Sequence, residues 1–535
     1  MDLKGEIMMK VLVCDPISEK GIEVLKQEPG VEVDVKLKMT EDEICAIASE
    51  YNAMVVRSET KITKKILEQA KQLKVVGRAG VGIDNIDVQA ATLQGVVVVN
   101  TPDGNTFAAA EHTMAMMLAL ARHIPQADQS LRQGLWNRSK FIGVELRNKT
   151  LGIIGFGKIG SEVGKRSKAF GMDILVFDPY VTREAAARAG VKSVDLETLL
   201  KESDMITVHM PLTSDTKHMI GKEQFALMKP TVRLLNVARG GIINEAELYE
   251  AVVEKKIAGA AIDVYEKEPQ TQSPLFTLPQ VIVTPHLGAS TQEAQVNVAI
   301  DVAYEICRVL RGEPVQNAVN IPFIKPEFRE VMQPFADLTE KLGNLAGKLA
   351  EGPIDDIELK YSGDIAALEL GSLTNTFLKG LLRPFLHEVV NYVNAPLVAK
   401  NRGIHVREIK SSKKEDYTNE ICVTIKGNGK WSRSVAGTVF KNNELRILRI
   451  DEFNLDIEPT GHIVVIMHHD KPRMVGQVGT ILGEYDINIA GMKLDREEIA
   501  GKAMMIITVD QEVGPEIIEK LKKLSGLANA TYIAF

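Results

Sequence analysis

The sequence predicts an α/β protein in which two doubly wound, Rossmann-like units lead into a mixed α/β module and a ferredoxin-like βαββαβ module. Three observations predict it. Apolar strands alternate with amphipathic helices from Met9 to about Thr101, the mark of a parallel sheet. The alternation restarts at 150, behind a glycine-rich turn. After Pro459-Thr460-Gly461 the chain reads strand, helix, strand, strand, helix, strand, the split β-α-β order. A length of 535 residues also calls for several domains, since single cores rarely grow beyond about 250–300 residues.

Composition narrows the partners. Hydrophobic content of 45% and charged content of 25% are ordinary globular values. A net charge of −7 and only 5% aromatic residues argue against a nucleic-acid partner. The N-terminal "MDLKGEIMMKVLVCD" has no apolar stretch ending in a small-residue cleavage site. The run "FAAAEHTMAMMLALA", 107–121, is too short to span a bilayer and carries Glu111 and His112, so it reads as a buried helix and no membrane partner is expected. Cys14, Cys45, Cys307 and Cys422 form no C-x-x-C pair, which suits reduced thiols in a cytoplasmic protein.

In chain order, "KVLVCD", "AMVVRS", "LKVVGRAG" and "GVVVVN" are strands, with "EKGIEVLKQ" and "KKILEQAK" as helices between them. The turn "VVGRAGVGIDNID", 75–87, brings glycines 77, 80 and 82 after a strand, but the next strand ends in Asn100, not in an acid. It reads as a turn facing a cleft, where Arg78 suits carboxylate or phosphate. The stretch "LGIIGFGKIGSEVGK", 151–165, is different. An apolar strand enters Gly155, Gly157 and Gly160, a helix follows, and the strand "MDILVFD" ends in Asp178. Glycines let the backbone approach a pyrophosphate at a helix N-terminus. Asp178 is placed to accept hydrogen bonds from ribose hydroxyls and to repel a 2′-phosphate, so NAD is favoured over NADP.

Three later strand ends carry reactive groups: Arg239 in "NVARGGIINE", Glu268 in "DVYEKEP" and His286 in "VTPHLGAS". Open α/β sheets bind ligands at such carboxyl ends. Oxidation of a secondary alcohol needs a base for the hydroxyl proton and a cation for a substrate carboxylate. A carboxylate beside His286 fixes its tautomer and suits a base that later returns the proton. Spacing alone leaves Arg239 and Glu268 equally readable as surface ion pairs. His112, His123, His209, His218, His387, His405 and His462 are read as structural. The segment 290–312 is helical by periodicity and stops at Gly312-Glu313-Pro314. Beyond "NAVNIP" the composition turns more polar, with no obvious catalytic cluster.

"GRAGVGIDNID", "GFGKIG", "NVARGGIINE", "DVYEKEP" and "PHLGAS", in this order and spacing, closely resemble the D-isomer-specific 2-hydroxyacid dehydrogenases. The resemblance runs from Met9 to Phe535 and points to the long members, whose C-terminal extension ends in an ACT-type module. It implies oxidation of 3-phosphoglycerate to 3-phosphohydroxypyruvate with NAD, the first step of L-serine biosynthesis. It implies Arg239 on the C1 carboxylate, His286 as acid/base on the C2 oxygen and Glu268 orienting His286. It further implies that Val81, Lys158, Ile159, Asp178, Met210, Val237, Ala238, Arg239 and Asp263 line the cofactor, with His286, Leu287, Gly288 and Ala289 beside the nicotinamide. Arg57, Ser58, Arg78 and Asn105 match substrate-facing positions. Arg138 and Lys140 in "WNRSKF" match an arm that reaches a neighbouring subunit, and read equally well as ordinary exposed basic residues.

The same resemblance implies four domains: a discontinuous substrate-binding domain, 9–106 and 290–320; a nucleotide-binding domain, 107–289; an intervening domain, 321–458; and an ACT domain, 461–535. Homo-oligomers, dimers or tetramers, are implied, with nucleotide domains pairing through an arm at 123–147. Asp470 in "HHDKPRMVG" and Asn488 in "DINIAG" match positions that contact an L-serine effector, although Arg473 stands where the family's loop has glycine. In the intervening stretch, "NGKWSRSVAGTVF" gathers Lys430 and Arg433, readable as an anion pocket or as a solvated basic loop. Two rivals remain. A glyoxylate or hydroxypyruvate reductase of the same family has no need of phosphate-binding arginines or a long regulatory tail. An NAD-sensing corepressor of the same fold has no need of an amino-acid sensor.

Overall fold

The computed structural model describes residues 8–322, 328–386, 389–414 and 416–535; His387, read above as structural, lies outside them. The first sheet holds β1 (Met9–Val13), β2 (Val31–Val35), β3 (Ala53–Val56), β4 (Val75–Arg78) and β5 (Val97–Val99) in the order β2-β1-β3-β4-β5. All its pairings are parallel. Near-continuous valine and leucine in these strands fit a sheet covered on both faces, and β3 is buried along its whole length.

The second sheet holds β6 (Thr150–Ile154), β7 (Asp173–Phe177), β8 (Lys192–Ser193), β9 (Met205–Val208), β10 (Arg233–Asn236), β11 (Gly259–Ile262) and β12 (Val281–Val283). Its order is β12-β11-β10-β9-β6-β7-β8, again parallel. The order reverses direction between β6 and β9, and such a switch point opens a crevice for a dinucleotide. The apolar run 107–121 is indeed a helix, Thr106–Arg122. It buries Ala110, Met114, Met117 and Leu120 against Leu151, Ile153 and Val176 of the second sheet.

The chain then returns. The helix Gln292–Leu310 is capped by Thr291, whose hydroxyl accepts from the Ala294 N–H at 3.1 Å. It packs Val298, Val302, Ala303 and Ile306 onto Val11, Val55 and Val75 of the first sheet. Two glycines permit the approach. A Cβ on Gly21 would stand 2.5 Å from the Ala299 carbonyl oxygen, and one on Gly77 2.6 Å from Ile306. Beyond it the chain runs back along β5, with the Val319 N–H donating to Val98 O at 2.8 Å and Asn320 accepting from the Val98 N–H at 2.9 Å.

The mixed sheet contains β13 (Asp356–Gly363), β14 (His405–Ser411), β15 (Asn419–Gly427), β16 (Trp431–Val439), β17 (Leu445–Ile450) and β18 (Phe453–Ile457), ordered β14-β13-β15-β16-β17-β18. The last sheet contains β19 (His462–His469), β20 (Ile489–Arg496), β21 (Lys502–Val509) and β22 (Leu527–Ala534), antiparallel in the order β20-β21-β19-β22. The helices Met474–Glu484 and Pro515–Lys522 complete the βαββαβ order. The two sheets share one core, in which Ile463, Val465, Ile506 and Ile533 join Leu338, Leu342 and Leu345 of the helix Arg329–Leu349. No described helix is long and apolar enough to cross a membrane.

Candidate active site

The glycine turn follows β6 directly. Gly155 adopts φ +93°, and a Cβ there would lie 2.6 Å from the His209 carbonyl oxygen. A Cβ on Gly160 would collide with the Gly155 carbonyl, so the strand and the helix Lys158–Ala169 meet backbone to backbone. Gly157 is the helix N-cap; no side chain caps it, and the space where its Cβ would project is open. A clear approach to uncapped N–H groups at the positive end of a helix fits a pyrophosphate. Asp178 stands beside this turn, accepting from the Phe156 N–H at 2.7 Å and the Tyr180 N–H at 2.8 Å. A carboxylate has about four acceptor sites, so capacity remains for ribose hydroxyls. Met210 also packs by Gly155, and Lys158 is ion-paired to Asp103 of the loop after β5. The residues present therefore fit a dinucleotide. Behind the turn, burial lowers the His209 imidazole to about 4, so it is neutral at physiological pH.

His286 and Glu268 come together. Nδ1 of His286 lies 2.7 Å from Oε2 of Glu268, while Oε1 accepts the Tyr265 N–H at 3.0 Å. Burial works to raise the Glu268 carboxyl, but the hydrogen bonds from His286 and the Tyr265 N–H outweigh it and hold the group below its ordinary value. Glu268 is thus ionised at neutral pH. The backbone at His286 is left-handed, φ +55°, and its N–H donates to Asp263 O at 2.8 Å.

Asp263 is fully buried at the end of β11. Its carboxylate accepts from Thr284 Oγ1 at 2.6 Å and from the Leu287 and Gly288 N–H groups at 2.7 and 2.9 Å. Nε2 of His112 lies 3.3 Å away. Burial opposes ionisation, yet His112, Thr284 and the Leu287 N–H together keep its pKa low. Asp263 therefore anchors the loop carrying His286, Leu287, Gly288 and Ala289. Val237 lies against Gly288. His112, read from the sequence as structural, belongs to this network. Its one signal was being an ionisable residue, with Glu111, in a largely apolar helix.

Arg239 follows β10, with Nη1 donating to Ala238 O at 2.7 Å and Nε 3.3 Å from Oδ2 of Asp84. Gly240 lets the chain pass the Tyr265 carbonyl, with which a Cβ would collide. Arg78 ends β4. Burial, then the neighbouring charge of Arg239, lowers its guanidinium to about 10, and Arg57 adds to the effect. Three guanidiniums thus share one region, and Nε of Arg78 is buried without a hydrogen-bond partner. Asn105 Oδ1 and the hydroxyls of Thr101 and Thr106 are likewise buried and unpartnered. The Arg57 N–H donates to buried Asp15 at 2.6 Å, while Ser58 is exposed. Val81 is held by Asn100, whose Nδ2 donates to its carbonyl at 2.6 Å. Asp84, Asp103 and Asp15 were missed from the sequence, although Asp84 sits inside the quoted "GRAGVGIDNID".

Arg138 and Lys140 lie on the exposed 3-10 turn Arg138–Phe141. Among the described residues no hydrogen bond or ion pair ties their side chains to the cleft. In the last module Asp470 pairs with Arg496 at 2.8 Å and Asn488 donates to Asp510 at 2.6 Å. The two are not joined to each other. Arg473 takes φ +74° at the N-cap of Met474–Glu484, the conformation that favours glycine. Arg433 pairs with Glu351 and with Asp451, so its charge is neutralised within the fold.

Matches to known proteins span 98% of the chain. The family model for the D-isomer-specific 2-hydroxyacid dehydrogenase NAD-binding domain matches residues 114–288. The D-3-phosphoglycerate dehydrogenase intervening domain matches 331–451, and the ACT domain 462–526. The chain is 48% identical over 528 residues to a D-3-phosphoglycerate dehydrogenase of Archaeoglobus fulgidus, covering 98% of this chain and 100% of that one. It is 44% identical to the Bacillus subtilis protein of the same name, covering 98% and 99%. Among solved structures, the apo form of Escherichia coli D-lactate dehydrogenase aligns with TM-score 0.52 and 31% identity, over 58% of this chain and all of that one.

Proposed function

The chain belongs to the D-3-phosphoglycerate dehydrogenase family of D-isomer-specific 2-hydroxyacid dehydrogenases, and from that membership we propose that it oxidises 3-phosphoglycerate to 3-phosphohydroxypyruvate with NAD, the first step of L-serine biosynthesis. The observation that carries the reading is the 2.7 Å His286–Glu268 pair, in a protein whose cleft also gathers Arg57, Arg78 and Arg239. A substrate with a carboxylate at one end and a phosphate at the other calls for several cations.

In this reading Arg239 holds the C1 carboxylate, and Arg57 and Arg78 take the phosphate, with Ser58 and Asn105 beside them. Glu268 accepts a hydrogen bond from Nδ1–H of His286, which fixes the tautomer that leaves the Nε2 lone pair free to take the C2 hydroxyl proton. The imidazolium so formed is stabilised by the Glu268 carboxylate, and in the reverse direction it returns the proton to the C2 oxygen. Bound NAD supplies the acceptor for the hydrogen and electron pair that leave C2. Gly155, Gly157 and Gly160 admit its pyrophosphate and Asp178 its ribose, while Asp263 fixes the loop beside its nicotinamide.

The domain division 9–106 with 290–320, 107–289, 321–458 and 461–535 is part of the proposal. It is supported by the helix Gln292–Leu310 packing on the first sheet. A homo-oligomer pairing through the 123–147 arm is supported by exposed Leu131, Leu135, Trp136 and Ile142 on that arm, and a cytoplasmic location is part of the same proposal. L-serine is proposed as the effector of the ACT domain, through Asp470 and Asn488.

Initial rates test the assignment. With NAD, 3-phosphoglycerate is expected to exceed D-glycerate in kcat/KM by at least about a hundredfold, because unpaired phosphate-binding arginines penalise the smaller substrate. Absence of turnover with 3-phosphoglycerate and with 3-phosphohydroxypyruvate would sink it. A preference for glyoxylate or hydroxypyruvate would make the chain a different reductase of the same family.

A further inference from the structure

Asp84 has no part in the chemistry above. Its carboxylate, 3.3 Å from Nε of Arg239, joins the turn after β4 to the turn after β10, and so links the two parallel sheets across the cleft. The Arg239 guanidinium is engaged at two of its three nitrogens: Nη1 donates to the Ala238 carbonyl at 2.7 Å, and Nε forms an ion pair with Asp84 at 3.3 Å without a hydrogen bond. Nη2 remains, lying over Gly82, where a Cβ would collide with it. Arg78 is repelled by Arg239 and attracted by Asp84, so the carboxylate sits where it offsets both guanidiniums. The Asp84 side chain is 68% exposed, and a pair that open to water adds little to folding. What the carboxylate does supply is an attraction that sets where the guanidinium rests.

We propose that Asp84 is a positioning residue for the oxidation: it grips Arg239 from the opposite side of the cleft, presents Nη2 to the substrate carboxylate, and keeps Arg239 and Arg78 from splaying apart. This rests on Arg239 being the group that holds the carboxylate.

The test measures kcat and KM for 3-phosphoglycerate in Asp84→Ala, Asp84→Asn, Arg239→Lys and the double variant Asp84→Ala/Arg239→Lys. Binding of 3-phosphoglycerate to the NAD-free enzyme is followed by calorimetry. Asp84→Ala is expected to lower kcat/KM by about 10–100-fold, the size of a small misplacement of a binding group, and to weaken calorimetric binding. Asp84→Asn, which keeps an acceptor oxygen, should fall between it and the wild type. In the Arg239→Lys background, Asp84→Ala should cost less than about threefold more, because the group it positions is already gone. Wild-type kinetics in Asp84→Ala, or a fully additive double variant, overturns the proposal. So does a lowered KM in Asp84→Ala, which would make Asp84 a competitor for Arg239 and not its guide. Wild-type turnover in Arg239→Lys would instead remove the carboxylate-holding role itself, and the proposal with it.

Discussion

His286 is constrained from two sides, its backbone N–H tied to Asp263 O and its Nδ1 to Glu268. Replacing it with alanine removes the acid/base without touching the glycine turn. His286→Ala should therefore lower kcat by ~10²–10⁴-fold while NADH still binds, as read by nucleotide fluorescence. Asp263 offers a pH signature. Its folded pKa lies below the ordinary 3.8, so its stabilising bonds are fully present above that value and are lost as pH falls through the depressed one. Thermal melting between about pH 5 and 2, spanning the ordinary carboxylate value and the region below it, should show a steeper acid loss in the wild type than in Asp263→Asn; equal slopes would remove Asp263 as a contributor. The pairing residues explain what the sequence left hidden. Gly155, Asp178, Arg239, Glu268 and His286 sit in local patterns of turn and strand end. The Asp84–Arg239 and Asp103–Lys158 pairs join segments from different sheets, and no local period records such a meeting.

Among the elements, the helix Gln292–Leu310 bears the most consequence for the cleft, since it carries the chain back onto the first sheet after β12. Ile306 and Val302 are fully buried there. Ile306→Ala should cost about 2–5 kcal/mol, measured by urea unfolding, whereas a substitution at exposed Tyr304 on the same helix should change stability far less. Most strands of the two parallel sheets and this helix were legible because their apolar runs are punctuated by glycine or proline; β2, whose valines alternate with Glu32 and Asp34, and the two-residue β8 were not read. The six-stranded sheet was legible only as a mixed α/β module. Its parallel β13–β14 pairing sits beside the antiparallel β13–β15 pairing, and that order depends on distant partners that alternation along one strand does not name.

At the scale of the molecule, the arm at 123–147 carries apolar side chains in water, with Trp136 77% and Ile142 80% exposed. Such a patch is costly unless covered. Trp136→Glu should shift the protein to smaller species in sedimentation velocity, and an unchanged distribution would place the subunit contact elsewhere. How the last two modules merge was not legible either, because a core shared between two sheets is a property of their docking. The order of the chain leaves one mechanical consequence. It crosses from the first sheet to the second between β5 and Thr106–Arg122, and crosses back between β12 and Gln292–Leu310. A body fastened at one point can swivel freely, but one fastened at two can only swing about the line between them. With the double crossing, any movement of one sheet against the other would be a swing about that line, like a door on its hinges, and would bring Arg239 back to the same jamb.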